Sequence, residues 1–282
     1  MREPKRILFV SQQIFPYLDE ETPIRLQNRQ LPEYFQSHGF ETRTFMPKFG
    51  EINERRNQLH EVIRLSGMNM IIDDTDHPLI IKVASIQSAR MQVYFIDNDD
   101  YFHPRLMATD ENGVEYDDND ERAIFYARGV LETVKKLRWC PDIIHCHGWM
   151  SALIPIYIKT AYRDEPSFRD SRVVYSMYED GFHNSLKENF TNQLLIKDMT
   201  AEQLAGINTP VDATELNRLA IKYSDGLIQN SPDVHPELME YAQELGVATL
   251  PYQGEENYVE SFCNFYDQVW SVGKVEEEEE ED

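Results

Sequence analysis

Cysteine is scarce. The chain of 282 residues has three, Cys140, Cys146 and Cys263. The number is odd and no pair shows C-x-x-C spacing, which agrees with a reducing compartment and leaves a four-ligand structural zinc site without its ligands. Long apolar runs are also missing. Nothing approaches the roughly 20 apolar residues of a membrane-spanning helix. The run Ile7 to Val10, behind a charged start, is too short for the core of a signal peptide. The chain therefore reads as cytoplasmic. Positive charge is the third shortage: Lys and Arg number 27 against 50 Asp and Glu, a net charge of -23. Nucleic acid and anionic membranes need a basic surface, so both are excluded as partners. The last acids form an unbroken run, Glu276 to Asp282. Like charges repel there and nothing apolar is available to bury, so residues 273–282 are expected to be a disordered acidic tail. Among catalytic signatures, G-x-S-x-G, the Walker loop and G-x-G-x-x-G are all absent.

Hydrophobic residues make up 41% and charged residues 27%, with a mean hydropathy of -0.55. A substantial core and a polar surface follow, in one large α/β domain or, at a stretch, two small ones. Short, nearly continuous apolar runs suit strands buried on both faces. They occur at Ile7 to Ser11, Arg43 to Met46, Gln92 to Ile96, Asp142 to His145, Arg172 to Met177 and Gly226 to Gln229. Helix-period patterns lie between them, at Leu26 to Ser37, Glu121 to Leu137, Met150 to Tyr162, Leu216 to Tyr223, Asp233 to Leu245 and Tyr258 to Trp270. Gly39 closes the first, and Ser231-Pro232 precedes the fifth. Strands alternating with helices predict βαβ units and a single doubly wound parallel sheet. Asp73 to His77, Thr109 to Glu121 and Asp164 to Asp170 read as surface loops, with Asp118 placed to cap a helix. Residues 178–215 give no clear pattern.

Ligands in such sheets bind beyond the carboxyl ends of the strands. The candidate segments are therefore Ser11 to Arg25, Asp97 to Pro104, His145 to Trp149, Tyr178 to His183 and Asn230 to Asp233. His145 and His147 are two apart and share a side if the strand continues. No third ligand accompanies them, so hydrogen-bonded histidines are preferred to a metal pair, and no metal or cofactor is expected. Trp149 reads as packing or as a sugar platform. Asp118 reads as a cap or a substrate contact. Arg122 reads as a substrate contact or as the partner of a nearby carboxylate. Asp97 to Asp100 could hold a cation or form a loop.

Several of these segments resemble the bacterial glycogen and starch synthases, retaining glycosyltransferases of the GT-B fold. Arg6 to Ser11 with Phe15-Pro16-Tyr17 matches their first strand and turn. His38-Gly39-Phe40-Glu41 and Met46-Pro47-Lys48-Phe49-Gly50 are similar to "RGHEV…MPKYG". Tyr94 to Asn98 with Tyr101-Phe102 matches "YFIDN…YF", and Asp118 to Arg122 with Phe125 resembles "DNxERFxFF". Trp139 and Pro141 to Trp149 resemble "W.PDIVHAHDWH", and Ala220 to Pro232 resembles "YADxVxTVSP". The order and spacing over residues 5 to 160 make the likeness specific. It implies that residues 1–255 are a Rossmann-like domain equivalent to the N-terminal half of a GT-B enzyme. It also implies that a second domain is missing, and that residues 256–272 are the family's last helix, which crosses back to pack on the first domain. That arrangement exposes the strand carboxyl ends, so Phe15, Tyr17, Trp149 and Phe182 are expected to form a homodimer or partner surface.

The family's donor loop reads lysine-threonine-glycine-glycine. Its lysine aligns with Asp19 and its glycines with Glu21 and Thr22. Two like charges ~4 Å apart repel by about 4 kcal/mol at an effective dielectric of 20, so an acidic loop disfavours a nucleotide diphosphate. Arg25 and Arg29 fall on the next helix and are not expected to compensate. The family's "HDWH" becomes His147-Gly148-Trp149-Met150, and its "TIHN" becomes Ser176-Met177-Tyr178-Glu179. The resemblance thus implies a protein of glucan metabolism. Its family reaction moves glucose from ADP-glucose or UDP-glucose to an α-1,4-glucan, and this chain alone is expected to be impaired in it. The alternative is a non-catalytic glucan-binding or scaffolding partner of a true synthase. His147, at a strand's carboxyl end, is the first choice for binding sugar hydroxyls.

Overall fold

A computed structural model describes the backbone of residues 5–179, 181–256 and 258–280, with side chains as far as 271. The strands are β1 (Arg6–Ser11), β2 (Glu41–Pro47), β3 (His60–Glu61), β4 (Met68–Ile72), β5 (Thr75–Ile86), β6 (Met91–Asp97), β7 (Ile143–His147), β8 (Arg172–Met177), β9 (Gly226–Gln229) and β10 (Ala248–Leu250). The helices are α1 (Pro23–Ser37), α2 (Asn119–Leu137), α3 (Ile154–Lys159), α4 (Phe190–Gln193), α5 (Ala213–Lys222), α6 (Pro236–Glu244) and α7 (Tyr258–Glu280). The strand order is β10-β9-β8-β7-β1-β2-β6-β5-β3, with β4 paired to β5. From β10 to β6 every pairing is parallel.

The predicted strands form, and the sheet is mixed rather than purely parallel. β5 runs antiparallel to β6, β3 and β4. Its first residues, Thr75 to His77, lie in the stretch expected to be a surface loop. Asp73 and Asp74 carry φ values of 47° and 63° and close a two-residue hairpin between β4 and β5. Aspartate tolerates the left-handed region, but Asp-Asp is a weaker hairpin signal than Asn-Gly. Pro78 inside β5 further masks the strand.

Two helices begin later than predicted, each with a proline in its first turn. The pattern from Met150 splits into a 3-10 turn, Trp149–Ser151, and α3, which has Pro155 in its first turn. α6 starts at Pro236, not after Ser231-Pro232. Proline's fixed φ and missing N–H suit the first helical position.

Alternation along the strands sends side chains to two covered faces. Leu8, Val10, Ile144 and Val173 enter a core with α2, α3 and α5. Ile7, Phe9, Ile143, Val174 and Ile228 face α1 and α7. α7 lays Tyr258, Phe262, Phe265, Tyr266, Val269 and Trp270 on that second face, a stripe of helical period. It crosses closely at Gly226, where an added Cβ would lie 2.6 Å from Val269 and 3.0 Å from Phe265. The helical backbone continues to Glu280, into the stretch expected to be without structure. Glutamate is a good helix former and α7 is already nucleated upstream. Residues 281 and 282 lie outside the described residues. The stretch without a clear pattern is a packed meander containing α4, with Phe182, Leu186, Phe190, Leu194 and Val211 in the first core.

Truncating a buried aromatic costs about 3–5 kcal/mol, from lost transfer energy and a residual cavity. Phe265→Ala is expected to lower stability by that order, read as an earlier urea midpoint with an unchanged slope.

Candidate functional site

Strand order places the switch point between β1 and β7, because the chain leaves β1 to one side for β2 and β7 lies on the other. Segments leaving β1, β7, β8 and β9 therefore converge at one edge of the sheet. A cavity of about 360 Å³ lies there. Glu21, Thr22, Gln27 and Gln30 form one wall, at the start of α1. Tyr178, after β8, and Asn230 and Ser231, after β9, form the floor. Tyr252 and Glu255, with Tyr258 of α7, close the far side. Among the described residues no Lys, Arg or His lines it.

The loop from β1 to α1 explains the first wall. Thr22 caps α1, its Oγ1 accepting from the Arg25 amide at 3.3 Å, and Pro23 occupies the first turn. Arg25 does belong to α1, yet it turns back. It donates to the Glu20 carbonyl at 2.9 Å and to Gln13 Oε1 at 3.0 Å, and lies 3.9 Å from the Glu20 carboxylate. Asp19 pairs with Arg56 at 2.7 Å. The expectation of uncompensated acids is thus corrected for Asp19 and Glu20. Both find arginines, one of them from a distant loop. Arg29 pairs with Glu33 instead, at 3.7 Å. Glu21 faces the cavity with no ion pair among the described residues.

Behind the floor lies a buried polar network. His145 and His147 are fully buried, with ring centroids 3.8 Å apart. His145 bonds Ser176 Oγ at 2.7 Å through Nε2 and the Tyr266 hydroxyl at 2.5 Å through Nδ1. The Tyr178 hydroxyl lies 3.1 Å from Gln27 Oε1 and 2.8 Å from His147 Nδ1, and it accepts from Asn230 Nδ2 at 2.6 Å. His147 Nε2 is buried with no hydrogen-bond partner among the described residues. Burial pushes His147 down to about 3. Burial, and then His147 itself, holds His145 well below the ordinary histidine range. Gly148 leaves β7 at φ 77°, ψ 176°, a region that only glycine adopts without strain. Glycine where the resemblance has an acid is thus a backbone requirement here.

The sequence-selected residues divide. His145 and His147 come together beside Tyr178 but do not line the cavity. Trp149 is buried, packed edge-on against Phe182 at 5.4 Å. Asp118 precedes α2 without a side-chain cap bond and instead grips Arg105. Arg122 is fully buried and donates to the carbonyls of Tyr101, Leu106 and Met107 and to Asn119 Oδ1. Burial lowers it to about 9, so it remains charged at neutral pH while tying a loop to α2. Both residues lie outside the cavity. Asp97 pairs with Lys82 at 2.7 Å and Asn98 Oδ1 caps the next turn, so that cluster is a loop. No group of metal-ligating residues occurs among the described residues. The expected partner surface fails on burial. Tyr17 packs on Phe95, Trp149 and Phe182 pack on each other, and Phe15 is half-buried. Sequence reasoning missed Gln27, Gln30, Tyr252, Glu255 and Tyr258. The spacing of Gln27 and Gln30 marks one helix face, but nothing in it signals a cavity.

A family model described as the starch synthase catalytic domain matches residues 6–250. The glycogen synthase of Pelodictyon phaeoclathratiforme is 31% identical over 228 residues, 80% of this chain and 45% of that protein. That of Chlorobium limicola is 33% identical over 241 residues, 82% of this chain and 48% of that protein. The chain spans about half the length of the curated relatives it matches. The catalytic domain of Starch Synthase IV from Arabidopsis thaliana, bound to ADP and acarbose, superposes with a TM-score of 0.69 at 14% identity, covering 89% of this chain and 51% of that one. This structural likeness speaks to the fold. No helix among the described residues is long and apolar enough to cross a membrane.

The buried histidines set a pH dependence. Their folded pKa values are depressed, so the unfolded chain takes up protons first as pH falls below about 6.5. Stability is fully present above that pH and declines toward the folded value, about 3 for His147. Each histidine contributes a slope of ~1.4 kcal/mol per pH unit in that window. Urea unfolding at pH 7, 6 and 5 should show a shallower decline for His147→Asn than for the parent chain. Equal slopes would mean that His147 is not sealed as described.

Proposed function

The chain belongs to the starch synthase catalytic-domain family, and on that premise we propose a glycogen/starch synthase-like protein of glucan metabolism whose cavity takes an α-glucan end in preference to a nucleotide diphosphate. The family reaction, glucosyl transfer from ADP-glucose or UDP-glucose to an α-1,4-glucan, is on this reading impaired in the chain by its own donor loop. The observation that carries the proposal is the chemistry of the cavity wall. Glu21 and Glu255 are carboxylates, and no cationic side chain among the described residues lines the space. A carboxylate only accepts hydrogen bonds, and so does a diphosphate. Sugar hydroxyls can donate. The N-terminus of α1, a natural anion site, is already capped by Thr22 and begins with Pro23. Three tyrosines, Tyr178, Tyr252 and Tyr258, add the amphipathic surface that sugars favour.

The Arabidopsis domain bound to ADP and acarbose supports a nucleotide-sugar or glucan ligand in this family, and the wall favours the second here. A non-catalytic glucan-binding role, alone or beside a true synthase, follows if transfer is absent. We read residues 1–255 as the family's Rossmann-like domain and 256–272 as its returning helix. Three free cysteines fit a reducing, cytoplasmic setting.

Two measurements test this. Labelled glucose from ADP-glucose or UDP-glucose should not enter glycogen above a blank, and calorimetry should detect maltoheptaose but not ADP. The variant Asp19→Lys, Glu21→Gly, Thr22→Gly should gain ADP affinity by about tenfold or more, equivalent to ~1.4 kcal/mol. Efficient transfer by the parent chain would overturn the reading of the loop.

A further inference from the structure

We infer that α7, with the segment 252–255 leading into it, is a strap whose docking is thermodynamically linked to occupation of the cavity. The cavity has two sides of different origin. One belongs to α1 and the ends of β8 and β9. The other is made by Tyr252 and Glu255, on the segment between β10 and α7, and by Tyr258, the first residue of α7. Two polar anchors of α7 end on the opposite wall. The Tyr258 hydroxyl donates to Gln30 Oε1 at 2.7 Å, and Gln30 lines the cavity. The Tyr266 hydroxyl meets His145 at 2.5 Å, the tilted His145 and His147 rings have centroids 3.8 Å apart, and His147 Nδ1 is hydrogen-bonded to the hydroxyl of Tyr178, again a cavity residue, at 2.8 Å.

Helix and cavity therefore share contacts. A ligand that touches both walls adds interactions present only in the docked state, and so stabilises that state. By reciprocity, whatever loosens α7 weakens the ligand by the same factor. Gly226 supplies a lever outside the cavity: a side chain there would lie 2.6 Å from the Val269 side chain and 3.0 Å from the Phe265 ring, so these side chains or the seating of α7 must shift. The ligand arm of this inference rests on the sugar reading above, while the link between helix and cavity wall does not.

Hydrogen exchange read by mass spectrometry tests both arms on the full chain. In Gly226→Val, exchange in residues 259–271 should rise by about tenfold. Residues 24–30 and 228–230 should rise with it, while β2 and β6 keep their protection. Because valine could disturb β9, Tyr266→Phe serves as a second variant. It keeps the ring, removes the hydroxyl, and should raise exchange in the same segments to a smaller degree. With maltoheptaose at saturation, exchange in 259–271 of the parent chain should slow. Faster exchange in α7 with residues 24–30 unchanged would overturn the link, and so would a uniform rise that includes β2 and β6. Maltoheptaose that binds by calorimetry and leaves α7 unaffected would overturn it too. If maltoheptaose does not bind the parent chain, the sugar reading falls, and the two variants alone decide the link.

Discussion

An imidazole sealed in an apolar layer has to be neutral and has to find hydrogen-bond partners inside the protein. β7 places two such rings, His145 and His147, side by side against α7 and the start of α1. Much of the candidate site follows from satisfying them. His145 takes one partner from β8, Ser176, and one from α7, Tyr266, which fixes where that helix lies. His147 takes its partner from Tyr178, whose hydroxyl is then oriented by Gln27 and Asn230. Burial keeps the histidines neutral, and the tyrosine that floors the cavity is held by one of them, His147, together with Gln27 and Asn230.

The acidic loop shows how a charge run changes meaning once it is folded. Asp19, Glu20 and Glu21 look equivalent in sequence, and together they look prohibitive for a diphosphate. Folding separates them. Asp19 turns outward to Arg56, Glu20 lies beside Arg25, and Glu21 alone faces the cavity. Its companion there, Glu255, comes from the other end of the chain. On the proposed reading, what disfavours phosphate is two acids on opposite walls and a helix start already capped, rather than three adjacent acids.

What was legible follows from how each element is buried. The parallel strands are covered on both faces, so their sequences are short apolar runs that stand out. β5 alternates buried with exposed residues, contains Pro78 and follows an Asp-Asp turn, and each of these features resembles a loop. The same limit applies to the site. Strand ends are visible in sequence, so Tyr178, Asn230 and Thr22 fell inside the chosen segments. Gln27 and Gln30 sit within a helix, where glutamine ordinarily marks a solvated face. Tyr252 and Glu255 follow the three-residue strand β10, which has no apolar run to reveal it. Arg122 and Asp118 had the right chemistry for substrate contacts, but nothing in their spacing shows that Arg122 points inward to carbonyls.

Position in the sheet explains why α7 is at once core and site. Along most of its packed length it covers Ile7, Phe9, Ile143, Val174 and Ile228, the face on which α1 also rests, so its apolar stripe is ordinary core. Its first residue, however, reaches the sheet edge where β8 and β9 end. A helix that begins at a ligand edge and runs back under the strands passes any change in its seating along its length, because close-packed side chains yield together rather than one at a time. Gly226 is where that seating is tightest, and the imidazole pair is where it meets the polar floor. The cavity's shape is thus a property of how α7 is seated as well as of the residues that line it.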